Sequence, residues 1–75
     1  MDIHHLAKMA NEIGGFFGSS PDHELAVNSI AQHLKNFWDP RMRREIIEYA
    51  HLEDCDLTPL VREAVLRLDQ TQRPG

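Results

Sequence analysis

Five histidines, one cysteine, three closely spaced glycines and a run of arginines are the residues of this 75-residue chain whose types could do chemistry. Zinc needs ligands that converge on one point. Yet no two histidines stand four apart on one helical segment, adjacent His4 and His5 point to different sides, and Cys55 has no second cysteine. His23 and His33 fall inside or beside an apolar stripe, where an edge histidine with a backbone or water partner is the ordinary outcome. Cys55 stands between Asp54 and Asp56, whose charge disfavours a thiolate, so it makes a poor nucleophile. Gly14, Gly15 and Gly18 follow a helical pattern instead of a strand, and no lysine follows them as a phosphate loop requires. No catalytic, cofactor-binding or metal-binding residue is assigned.

What remains is the stretch Phe37-Trp38-Asp39-Pro40-Arg41-Met42-Arg43-Arg44, which holds the only Trp. Asp39-Pro40 reads as a helix start, an N-cap followed by proline in the first helical position. Arg41, Arg43 and Arg44 then fall at the positive end of the new helix's dipole, where each is disfavoured by about 0.3–1 kcal/mol. Arg41 can pair with Glu45 and Arg44 with Glu48, each four residues on, as an ordinary solvated charge pattern. Arg43 has only Asp39 at that spacing, already used as the cap. It holds the position from which a side chain staples back onto the residue before the cap, and a guanidinium across the Trp38 indole is expected. Phe37 is placed in the core. Trp38, Arg41, Met42, Arg43 and Arg44 form the candidate partner interface, with Arg43 expected to contribute more to association than Arg44.

The elements that must position this stretch are helical. Ile3, Leu6, Ala7, Ala10, Ile13 and Phe17 share one arc over residues 2–17, opposite His4, His5, Lys8, Asn11 and Glu12. Gly18 is the expected stop. The Gly14-Gly15 pair fits equally a close approach by a neighbouring helix or a frayed last turn. Ser20-Pro21-Asp22 predicts a second helix, capped by Ser20, running to about Trp38 on the stripe Ala26, Val27, Ile30, Ala31, Leu34, Phe37 and Trp38. The third carries Met42, Ile46, Ile47, Tyr49 and Ala50 and ends in the acidic run Glu53 to Asp56, unfavourable at the dipole's negative end unless solvated beyond it. Thr58-Pro59 opens a fourth over Leu60, Val61, Ala64, Val65 and Leu68. The fold class is all-α, a small bundle of three to four short helices in one domain over residues 1–68, with residues 69–75 a disordered tail. Pro21, Pro40 and Pro59 are evenly spaced, but their flanks do not match, so no internal repeat is assigned.

Composition bounds the function. A chain this short buries only about 60% of its unfolded surface, so a partner or a second copy would help it. At 41% hydrophobic and 27% charged it is an ordinary globular composition. No apolar run approaches the ~18 residues of a membrane helix, and the first residues lack a secretory pattern, so a cytoplasmic location is expected. The lone cysteine agrees with a reducing compartment. A net charge of −4 gives no basic field for nucleic acid. Met9, Phe16, Leu25, Leu52 and Leu66 are apolar residues left outside the stripes, and together they favour a module that docks on something larger.

Met9-Ala10-Asn11-Glu12-Ile13-Gly14, Phe16-Phe17, Pro21-Asp22, Ile30-Ala31, His33-Leu34 and the run Phe37 to Arg43, in that order, resemble the delta subunit of bacterial NAD-dependent formate dehydrogenase. The likeness runs from the first helix to the third, departs at Gly15, and gains little from the fourth. It implies a non-catalytic, cytoplasmic accessory subunit of a complex that oxidises formate to carbon dioxide and reduces NAD. In that family the alpha subunit carries a molybdenum or tungsten pterin and iron-sulfur clusters, the beta and gamma subunits carry FMN and further clusters, and the delta subunit carries none. The implied role is to stabilise or assist assembly of the complex, partly through charged contacts. The alternative from another class is a free-standing homodimeric helical regulator, which would be a stable dimer alone.

Overall fold

The computed structural model describes residues 2–72. Among them are four helices and no strand: α1 (Ile3–Phe17), α2 (His23–Phe37), α3 (Pro40–Ala50) and α4 (Pro59–Gln72). Helix α4 lies against each of the other three. Leu6, Ala10, Val27, Ile30, Leu34, Ile46, Ala50, Val61, Val65 and Leu68 are buried in one cluster to which every helix contributes, which is the outcome of the four apolar stripes.

The helix starts follow capping chemistry. The Asp2 carboxylate accepts from the His4 N–H, and the Asp39 carboxylate accepts from the Met42 N–H at 2.9 Å, with Pro40 in the first position of α3. The start of α2 differs from expectation. Asp22, not Ser20, is its N-cap and accepts from the Leu25 N–H, so Pro21 precedes the helix. Ser20 instead accepts from the Asp22 N–H through its hydroxyl, a local turn that sets the cap in place.

One correction and one choice between open alternatives concern the helix ends. Helix α4 continues to Gln72, so residues 69–72 of the expected tail are helical, and residues 73–75 lie outside the described residues. Asp69 is half-buried and hydrogen-bonds the His51 ring at the end of α3, a tertiary anchor that composition alone does not display. Gly14 is buried where α4 crosses α1. A Cβ there would fall inside the van der Waals envelope of Val61 Cγ2, whereas Gly15 faces open space. Close approach therefore accounts for Gly14, and the helix does not fray before Phe17.

The acidic loop between α3 and α4 is held on the polar face of α1. Asn11 donates to the Asp56 carbonyl at 2.9 Å and accepts from the Thr58 N–H at 3.0 Å, while the Tyr49 hydroxyl accepts from the Asp56 N–H. Glu53, Asp54 and Asp56 are exposed beyond the last turn of α3, as the solvated alternative requires. Across α2 and α4, Arg67 hydrogen-bonds both Glu24 carboxylate oxygens, and these bonds, then its charge, hold the Glu24 carboxyl below the usual carboxylate range. That pair is solvated and contributes little to stability.

Candidate docking face

The arginine-rich turn is rearranged relative to expectation. Helix α2 ends at Phe37, and Trp38 turns extended, with φ −92° and ψ 142°. That turn redirects the chain from α2 into α3; the Trp38 indole lies in the core, 5% exposed, while Phe37 is outside at 74%. The expected places of these two aromatics are exchanged.

Arg43 also turns inward. Its Nη1 donates to the Lys35 carbonyl at 3.0 Å and to the Trp38 carbonyl, the last acceptors of α2. A cation at the start of α3 is thus a cation at the end of α2, where the dipole favours it and free carbonyls need donors. The rule broken for one helix is satisfied for the preceding one, and Arg43 reaches backbone oxygens instead of spanning the indole. Arg62 does the same at the next junction, donating from Nε to the Ala50 carbonyl at 2.8 Å. Pro40 to Arg43 and Pro59 to Arg62 share one spacing and one device, so the even proline spacing carries a local likeness at two of its three positions.

Hydrogen bonds from a charged donor are worth roughly 1.5–3 kcal/mol each. Arg43→Ala is therefore expected to lower stability by about 2 kcal/mol in urea denaturation, and Arg44→Ala by less than about 0.5 kcal/mol. Equal effects would show that the Arg43 contacts carry no weight.

Of the five residues assigned to the partner interface, Trp38 is in the core, Met42 is half-buried against it, and Arg43 caps α2. Arg41 and Arg44 are exposed, and neither pairs with a carboxylate among the described residues, so the expected Arg41–Glu45 and Arg44–Glu48 pairs are not made. The structure brings together a different set. A row of rings crosses from α1 to α2: Phe16 against Phe17 at 5.2 Å, Phe17 against His33 at 6.2 Å, and His33 against Phe37 at 4.6 Å. The two ends, Phe16 at 79% and Phe37 at 74% exposed, are the most exposed large apolar residues of the described chain.

Beside the row opens a groove of about 510 Å³ lined by Met9, Glu12, Ile13, Phe16, Phe17, His33 and Trp38. Glu12 is its one carboxylate. Aromatic residues and methionine concentrated in an exposed concave patch are what the centre of a protein–protein interface contains. Met9 and Phe16 were visible beforehand as apolar residues outside the stripe. Phe37 and His33 were not, because their place in the row depends on α1 and α2 lying side by side. Among the described residues no group of three or more His, Cys, Asp or Glu is placed to hold a metal ion, and no helix is long and apolar enough to cross a membrane.

The chain matches the family described as NADH-dependent formate dehydrogenase delta subunit FdsD over residues 5–65, from the first turns of α1 into α4. No curated protein and no solved structure matches it. The chain belongs to that delta-subunit family.

Proposed function

We propose that this member of the formate dehydrogenase delta-subunit family is a non-catalytic accessory subunit that docks through its ring row and stabilises or assists assembly of the complex. Formate oxidation and NAD reduction belong, in this reading, to the alpha, beta and gamma subunits, which carry the molybdenum or tungsten pterin, the iron-sulfur clusters and FMN. This chain contributes surface and no cofactor, and acts in the cytoplasm. The observation that carries the reading is the exposed row Phe16–Phe17–His33–Phe37 beside its apolar groove, which lies wholly within the family match. Exposed Arg41 and Arg44 supply charged contacts at a second place. Partner burial would also add apolar area to a chain too short to bury much of its own.

The test is removal and replacement. Deleting the chain is expected to lower the yield or thermal stability of the assembled enzyme. Restoring it as the double variant Phe16→Ala, Phe37→Ala should weaken association by about 2 kcal/mol or more, roughly 30-fold, since central aromatics dominate interface energetics. The variant's own melting temperature should stay near that of the parent, because both rings are exposed. An enzyme that assembles with unchanged stability and full formate oxidation after deletion rejects the reading. A stable dimer of the chain alone, with no affinity for the other subunits, selects the free-standing regulator.

A further inference from the structure

We infer that the start of α3 engages carboxylates on the surface that covers the ring row, so that the partner presents an apolar patch with acidic residues along the edge nearest the α2–α3 junction. The inference rests on the accessory-subunit reading and names the charge of its partner. The ring row ends at Phe37, the last residue of α2, and Arg41 and Arg44 follow within the first two turns of α3. Both arginines are exposed.

What sets these two apart is that the fold makes no use of them. Arg43 and Arg62 donate to carbonyls at the ends of α2 and α3, and Arg67 pairs with Glu24 and Glu63. Arg41 and Arg44 pair with no carboxylate among the described residues, although Glu45 and Glu48 stand at the spacing that allows it. Arg41 also lies in the first turn of α3, where the helix dipole disfavours a cation and no acidic residue offsets it. Unpaired arginines beside a ring that is 74% exposed have the composition of an interface, in which aromatic residues and arginine are enriched.

Charge on this side of the molecule is otherwise scarce. The two grooves that flank the ring row are lined by no Lys or Arg, and Glu12 is their one carboxylate. The cationic contacts of the face therefore fall to the arginines. With a net charge of −4 the chain as a whole repels an acidic surface, so attraction confined to the α2–α3 junction selects one orientation of docking and speeds association in it. The same net charge disfavours nucleic acid as the source of the negative groups.

The experiment titrates the chain onto the formate dehydrogenase complex prepared without it, at low and high salt, and onto a duplex DNA probe in parallel. Wild type, Arg41→Gln, the double variant Arg41→Gln, Arg44→Gln, the matched-charge control Lys8→Gln and the ring variant Phe16→Ala, Phe37→Ala are compared, with melting and sedimentation of each chain alone. Lys8 is likewise exposed and unpaired among the described residues, but it lies on the polar face of α1. The double Gln variant is expected to lose about fivefold or more in affinity at low salt, mostly through slower association, and to flatten the salt dependence, whereas Lys8→Gln should change affinity by less than about twofold. Its melting temperature should stay within about 4 °C of wild type or rise, because the lost cation was opposed by the dipole of α3. The ring variant should bind weakly and keep the wild-type salt dependence. Wild-type affinity and salt dependence in the double Gln variant, while the ring variant binds weakly, overturn the inference and leave the subunit reading standing. Equal losses for Arg41→Gln and Lys8→Gln overturn it as an effect of net charge, and a fall in melting temperature that parallels the affinity loss overturns it as a structural role. A dimer of the free chain that the Gln substitutions dissociate assigns the carboxylates to a second copy, and DNA binding that they abolish assigns the anion to nucleic acid; either result overturns it. Absence of binding by wild type rejects the subunit reading and the inference with it.

Discussion

Trp38→Ala is expected to unfold much of the protein at room temperature, while Phe37→Ala, one residue earlier, should leave the melting transition where it is. Truncating a buried aromatic costs about 3–5 kcal/mol through lost burial and the cavity left behind. A single core in a domain this small rarely supplies more than about 3–5 kcal/mol, so the loss is comparable to the whole. Phe37 at 74% exposure has little burial to lose, and its substitution should fall within about 0.5 kcal/mol. Far-UV circular dichroism on heating, with urea titration for the survivors, separates the two. Matching losses in both variants would mean that the core does not depend on the indole. In the proposed docking, Phe37 is expected to contribute directly to binding, and Trp38→Ala to act on binding mainly through loss of the fold.

The exchange of these neighbours shows where the sequence was legible. A helical wheel gives the angle of a residue around its axis, and that was enough to place Leu6, Ala10, Val27, Ile30, Ile46 and Val65 inward. It says nothing about how far along the axis a neighbouring helix reaches. Phe37 has the right angle, but it is the last residue of α2 and its ring meets His33 instead of the core. Trp38, on the same stripe, is buried although it is only the C-cap of α2.

Caps were legible where a single Asp or Gly decided them, at Asp39 and Gly18. They were not where Ser20 and Asp22 competed across a proline. Arg43 was recognised as anomalous from its own helix, but its partners are carbonyls of the preceding one, reachable only once the chain has turned at Trp38. The candidate site was legible by its parts and not by its assembly. Phe16 and Met9 stood out as surplus apolar residues, whereas the ring row needs two helices brought together.

Gly14→Ala is expected to destabilise the protein and Gly15→Ala to stabilise it, although both place the same methyl group in the same turn of α1. Each gains about 1 kcal/mol of helix propensity over glycine. At Gly15 nothing lies within reach of the new Cβ, so the gain stands. At Gly14 the Cβ meets Val61 Cγ2, with Val61 Cβ at 3.7 Å and Thr58 Oγ1 at 3.9 Å behind it. Val61 is fully buried and β-branched, so it cannot swing aside within one rotamer, and α4 must move away from α1. Overpacking of this kind costs about 1–3 kcal/mol, which exceeds the propensity gain for most of that range. A second substitution isolates the cause. Val61→Ala alone destabilises by opening a cavity, but in the Gly14→Ala background it removes the colliding methyl, so the double variant should be more stable than the sum of the single losses by about 1 kcal/mol. Strict additivity in urea denaturation would show that the cost at Gly14 arises elsewhere than at the α1–α4 crossing.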